Sequence, residues 1–167
     1  GFGRIGRAVI QRARAFEHRL AACDPYVDPD VFAEEGVASM DIDTITGCAD
    51  VISLHCPLTP ETNHLFDASR IGKMKAGAIL INTARGAIID NLALAEALAN
   101  NRLAAAGIDV FEEEPLPPDH PLLTCDNAIL TPHYAWHSIE SERRLHRRAA
   151  EEVARSLRGE TLRCPVA

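Results

Sequence analysis

Apolar and polar positions along this chain switch period repeatedly between helix-like and strand-like. Ile5, Ala8, Val9, Ala13 and Phe16 recur at roughly helical spacing over residues 4–18. Residues 20–24 then read as a short strand closing on an acidic side chain, and residues 41–49 as a helix. A buried strand over 51–55 is stopped by Pro57, followed by a helix over 68–74 and a strand over 78–82. An alanine-rich helix over 92–99 is introduced by Asp90 as its cap, and strands follow at 104–110 and 128–130. Pro and acidic residues between Glu112 and Pro121 mark a long loop, and residues 138–157 form one charged amphipathic helix before a polar tail. Strands alternating with helices over short connections imply a parallel sheet with helices on both faces, a doubly wound α/β fold.

Composition narrows the class. A chain of 167 residues with 47% apolar side chains suits one domain with a sizeable core. Twenty-four acidic against 17 basic side chains argue against a nucleic-acid partner, which would need clustered Lys and Arg. The cluster Arg143, Arg144, Arg147 and Arg148 is interleaved with Glu140, Glu142, Glu151 and Glu152, the pattern of a solvated helix face. Cys23, Cys48, Cys56, Cys125 and Cys164 are scattered with no C-x-x-C pair, which fits a reducing compartment and predicts no metal site. No apolar run approaches the ~18 residues of a membrane span, so a cytoplasmic protein without a membrane partner is expected.

The first six residues, Gly1-Phe2-Gly3-Arg4-Ile5-Gly6, carry the G-x-G-x-x-G spacing of a dinucleotide site. In such a site the first glycine permits a tight turn, the second lets a pyrophosphate approach the backbone, and the third lets the helix pack on the sheet. The amides of Arg4 and Ile5 would face the phosphates from a helix N-terminus. Asp24 closes the next predicted strand 18 residues beyond Gly6, where a carboxylate accepts hydrogen bonds from ribose hydroxyls. Its neighbours Pro25 and Tyr26 offer no cation for a 2′-phosphate, which favours NAD over NADP. Arg4, Arg7 and Arg12 stay open as groups that could reach one. The fingerprint normally follows a strand and here has none before it, so a longer parent protein is expected.

Taken in order, GFGRIG, LHCPLTPETNHL, NTARG, GIDVFEEEPL and TPHYAW resemble the NAD-binding domain of the D-isomer-specific 2-hydroxy-acid dehydrogenases. Within that family CDPY and TPHYAW are most similar to the branch containing the C-terminal-binding proteins. The resemblance implies a Rossmann-type fold lacking its first strand and its substrate domain. It places an NAD-binding domain at residues 1–137, with 138–167 leading back toward the absent domain. Arg85, Glu114 and His133 are implied as catalytic. A guanidinium fork suits the carboxylate of a 2-oxo acid, an imidazole can exchange a proton with the carbonyl oxygen, and a carboxylate can orient that imidazole. Cys56, Pro57, Thr83 and Asp109 are implied to line the cofactor cleft, and Trp136 the substrate pocket. His55, His64, His120 and His137 lack comparable context and read as structural.

The implied activity is hydride transfer between NAD and a 2-hydroxy or 2-oxo acid, in a homodimer joined through the nucleotide-binding domain. The alternative is an NADH-gated scaffold of the corepressor type. An isolated polypeptide of these residues is expected to be unstable or inactive, because a missing strand would expose central sheet edges. Cooperative unfolding together with full turnover of 2-oxo acids would overturn that expectation.

Overall fold

The computed structural model describes residues 1–163 and 165; Cys164, together with Val166 and Ala167 of the predicted tail, lies outside the described residues. The chain divides into two compact units, Gly1–His133 and Tyr134–Ala167. In the first unit α1 (Arg4–Ala13), β1 (Ala21–Ala22), α2 (Pro29–Glu34) and β2 (Ala38–Ser39) come first. Then follow α3 (Ile42–Cys48), β3 (Val51–Leu54), α4 (Ala68–Lys73), β4 (Ile79–Asn82), α5 (Asn91–Ala99), β5 (Ala105–Ile108) and β6 (Ala128–Leu130). The second unit holds α6 (Ile139–Leu157).

All strand pairings are parallel, in two sheets. β3, β4, β5 and β6 lie side by side in that order, flanked by helices, and β1 pairs with β2 apart from them. This is the α/β architecture that the alternating pattern predicts. On β4 and β5, Leu80, Asn82, Ala106 and Ile108 are buried and their neighbours are half-buried. These strands pack with Ile71 of α4 and Leu94, Ala95 and Leu98 of α5 into the main core. Burying each of the larger aliphatic side chains contributes about 1.5–3 kcal/mol.

Sequence patterning errs where cover is thin. The predicted helix over 4–18 ends at Ala13, gives one 3-10 turn over Arg14–Phe16, and stops at Glu17 with φ 59°. Ile5 and Phe16 are exposed, because only two short strands accompany this end of the chain, and the second core forms instead around Phe2, Phe32 and Val37. Phe2 and Phe32 stack with ring centroids 4.7 Å apart. The strand over 51–55, predicted as buried, buries only Ile52 and Leu54; Val51 is exposed, since β3 has a strand partner on one side alone among the described residues. α2 and β2 have no counterpart in the apolar pattern. The sequence does carry α2's start signal: Asp28 accepts the Asp30 amide and Pro29 occupies the first turn.

Helix capping separates α1 from every other α-helix. Asp28, Asp41, Asp67 and Asp90 cap α2 to α5 through their carboxylates, and Ser138 caps α6 in a reciprocal box with Ser141. α1 begins on Gly3, which has no side chain to serve, and no acidic residue sits in its first turn. In the second unit no residue of α6 is buried, and Tyr134 stacks on His137 at 4.3 Å.

Gly86 joins two loops of the first unit. A Cβ at this position would lie 1.8 Å from the Phe111 carbonyl oxygen and 2.6 Å from the Glu112 nitrogen, both backbone atoms. Gly86→Ala is therefore expected to cost at least about 1–3 kcal/mol, the range for forced overpacking. The urea midpoint of the complete protein measures it, and an unchanged midpoint would refute the close approach.

Candidate active site

The candidate cofactor site is built on the turn between Gly1 and Gly6. A Cβ on Gly1 would meet the His55 backbone at 2.5 Å, and one on Gly6 would meet the Gly1 carbonyl oxygen at 2.3 Å. Both glycines are required by packing of the turn on the strand end and on itself. At Gly3 a Cβ would meet nothing within 4 Å, so one side of the turn is open. An open turn in front of a helix N-terminus that no side chain caps has the donors and the access that a pyrophosphate needs. Arg4 and Ile5, both exposed, stand in the first turn of α1.

Asp24 follows β1 and is held by two backbone amides. Oδ2 accepts from Phe2 N at 2.8 Å and Oδ1 from Tyr26 N at 3.0 Å. The first of these ties the acidic residue directly to the fingerprint turn. Each oxygen keeps a further lone pair, so the carboxylate can still accept from a diol. Cys56 and Pro57 follow β3, and a Cβ on Gly1 would lie 2.6 Å from the Cys56 nitrogen. Burial pushes the Cys56 thiol pKa up, which makes it a packing group rather than a thiolate. Burial likewise lowers the pKa of His55, whose Nε2 lies 2.9 Å from Ser53 Oγ.

The catalytic candidates come from the ends of β4, β5 and β6. Glu114 and His133 meet: His133 Nδ1 lies 2.8 Å from Glu114 Oε2. Glu114 Oε1 accepts from the Phe111 amide at 3.0 Å, so the carboxylate is oriented at both oxygens. The His133 hydrogen bond, and after it the Phe111 amide, hold the Glu114 pKa below the ordinary glutamate range. An ionised carboxylate at Nδ1 assigns the proton to that nitrogen and leaves Nε2 to meet a ligand. His133 itself has a left-handed backbone, φ 56°, fixed by its amide donating to Asp109 O at 2.7 Å. Asp109 is buried and accepts from the Thr131 hydroxyl. With side-chain exposures of 48% and 38%, the His133–Glu114 pair faces outward from its unit rather than into an enclosed cavity.

Arg85 enters through the loop after β4. The exposed Arg85 donates through Nη1 to the Ala84 carbonyl at 2.6 Å, and the following Gly86 packs on the backbone of the loop that bears Glu114. Thr83 is exposed on the same loop. Trp136 belongs to the second unit, half exposed and in edge contact with His137 at 5.3 Å.

The three glutamates of FEEEP have separate surroundings. Glu112 Oε1 lies 2.5 Å from His64 Nε2, while its Oε2 accepts from the Asn91 amide at the start of α5. Glu113 is exposed, and Glu114 alone meets His133. Sequence reasoning missed Glu112, His64, Gly86 and Asn82 as organisers of these loops. Only Asn82 left a mark in the sequence, as a polar residue at a buried position of an apolar strand.

Residues 1–135 match the family model described as D-isomer specific 2-hydroxyacid dehydrogenase, NAD binding domain. The chain belongs to this family. It is 45% identical over 161 residues to a D-3-phosphoglycerate dehydrogenase of Methanocaldococcus jannaschii, covering 96% of this chain and 30% of that protein. Identity to a glyoxylate reductase of Korarchaeum cryptofilum is 42% over 160 residues, covering 96% and 48%. A crystal structure of D-lactate dehydrogenase with NAD+ from Lactobacillus jensenii superposes with a TM-score of 0.90 at 34% identity, covering all of this chain and 54% of that one. The chain thus spans about a third to a half of the length of these relatives.

Because the folded pKa of Glu114 is depressed, its ionised form contributes stability that is fully present above the ordinary glutamate pKa and lost as pH falls through the folded value. Glu114→Gln should therefore be less stable than the native protein near neutral pH, with the gap closing on the acid side of about pH 4.3. Urea midpoints of both proteins across that window test this, and a gap independent of pH would contradict it.

Proposed function

We propose that the protein containing this domain is an NAD-dependent 2-hydroxy-acid dehydrogenase, interconverting a 2-oxo acid and its D-2-hydroxy acid. The observation that carries the reading is the hydrogen bond between Glu114 and His133 Nδ1, on a domain of this family. When bound, the nicotinamide supplies or takes the hydride. The Gly3 side of the fingerprint turn and the amide end of α1 hold its pyrophosphate, and Asp24 accepts from the adenosine ribose. A fixed carboxylate there also repels a 2′-phosphate, which supports NAD over NADP. Arg85 binds the substrate carboxylate through its planar fork and draws charge from the adjacent carbonyl.

His133 donates a proton from Nε2 to the carbonyl oxygen during reduction and takes it back in oxidation. Glu114 keeps the ring oriented and stabilises its cationic form. Cys56, Pro57, Thr83 and Asp109 wall the cofactor cleft, and Trp136 belongs to the substrate side. Residues 1–137 constitute the nucleotide-binding domain and 138–167 lead back toward a substrate domain. Among the described residues β1 and β3 each have a strand neighbour on one side alone, which, with Gly1 lodged between Cys23 and His55, supports a further strand between the two sheets.

A homodimer through this domain is in keeping with the exposed apolar side chains Leu92, Leu123 and Ile129. Free Cys23, Cys48, Cys56 and Cys125 fit a reducing compartment such as the cytoplasm. No helix among the described residues is long and apolar enough to cross a membrane. CDPY and TPHYAW support a place in the C-terminal-binding-protein-like branch, and with it the NADH-gated scaffold as the alternative. The curated relatives above are a dehydrogenase and a reductase, and the intact His133–Glu114 pair puts the enzyme first.

NADH oxidation by the complete protein against 2-oxo acids with small, charged and bulky tails tests the reading. Turnover of one class supports it, and NADH binding without turnover of any of them turns the weight to the scaffold. His133→Ala should lower turnover by at least ~100-fold, the scale of a lost general acid. Near-native turnover in that variant would remove His133 from its role.

A further inference from the structure

Asn82 is the last residue of β4 and is fully buried, at the end of a strand otherwise built from Ile79, Leu80 and Ile81. Both ends of its amide are used within the next three residues. Oδ1 accepts from Ala84 N at 3.0 Å, and Nδ2 donates to the Arg85 carbonyl at 2.9 Å. Its own backbone carbonyl accepts from the Asp109 amide at 3.0 Å, beyond the paired stretch of β4 and β5. The segment Thr83-Ala84-Arg85 is therefore wrapped around one side-chain amide anchored to the sheet. On the far side, Gly86 packs against the Phe111 carbonyl with no room for a side chain between them. Arg85 is thus pinned from both directions, although its own side chain is exposed.

An aliphatic residue would continue the apolar pattern of β4 and fill the same core. What it would lack is the paired donor and acceptor that close the loop. We propose that Asn82 is a positioning residue for Arg85, setting the backbone from which the guanidinium reaches the carboxylate of a 2-oxo acid. The inference rests on the reading of Arg85 given above. A bidentate contact tolerates only about 0.5 Å of displacement, and a long flexible side chain holds that tolerance only if its Cα is fixed.

The test uses the complete protein and two variants. Asn82→Asp has the same shape and keeps the acceptor for Ala84, but when ionised it sets an oxygen against the Arg85 carbonyl. A carboxyl buried there has a raised pKa, and its protonated form regains a donor toward that carbonyl. N82D should raise KM for the 2-oxo acid on the order of tenfold at neutral pH, the scale of one buried hydrogen bond lost. The Kd for NADH should change several-fold less than KM, since the fingerprint turn is untouched although Thr83 lies in the loop, and the KM defect should shrink as pH falls. Asn82→Ser, uncharged and able to reach only one of the two backbone groups, should share the KM defect without the pH-dependent recovery.

Trypsin cleavage after Arg85, followed by mass spectrometry, reads the order of the loop independently of activity, and should be faster in both variants. Native KM and native cleavage rate in N82D and N82S would overturn the proposal. So would loss of NADH affinity in step with the rise in KM, which would mark Asn82 as a general support of the fold. If the unaltered protein turns over no 2-oxo acid, the functional reading fails, and the cleavage rates still decide whether Asn82 orders this loop.

Discussion

The close approach of Gly86 to the backbone of Phe111 and Glu112 is the constraint around which the candidate site is organised. Two loops with nothing in common in sequence, one leaving β4 and one leaving β5, touch through main-chain atoms with no side chain between them. A contact of this kind has no rotamers to relax, so it transmits position from one loop to the other. Arg85 lies one residue before the contact, and Glu114 lies three residues beyond Phe111. Asn82 closes the first loop from within, and the Phe111 amide orients Glu114 in the second. His133 is brought in by a third strand end, with Asp109 O holding its amide. The candidate catalytic side chains are exposed, while the groups that place them are backbone atoms and buried amides.

The acidic run FEEEP shows how neighbouring identical residues acquire different work. Glu112 reaches across to His64 and to the amide end of α5, which anchors the start of the loop to two other segments. Glu113 is left to solvent, and Glu114 turns toward His133. Charge alone does not distinguish the three. What separates them is the direction each side chain takes from a loop whose first residue is fixed at Gly86.

Much of this was legible beforehand, for physical reasons. The strands of the main sheet are largely apolar because helices pack on them, and every strand predicted over 51–130 is found there. Asp90 announces α5 because a carboxylate before a helix satisfies free amides. α2 and β2 left no apolar period, being six and two residues long, and their small core depends on Phe2, Phe32 and Val37 meeting from distant places. The pairing of Glu114 with His133 came from resemblance, not spacing, since 19 residues separate them. The roles of Gly86 and Asn82 are three-dimensional: a glycine shows no hydrophobic signal, and a polar residue closing an apolar strand marks Asn82 without saying which backbone groups it bonds.

The separation of β1–β2 from the β3–β6 sheet has a consequence for ligand binding. Gly1 touches both parts, through Cys23 O on one side and the His55 backbone on the other. A ligand bound at the fingerprint turn would lie where these two parts meet, and one that recognises a single spacing between them stabilises that spacing, so occupancy and rigidity of this junction rise together.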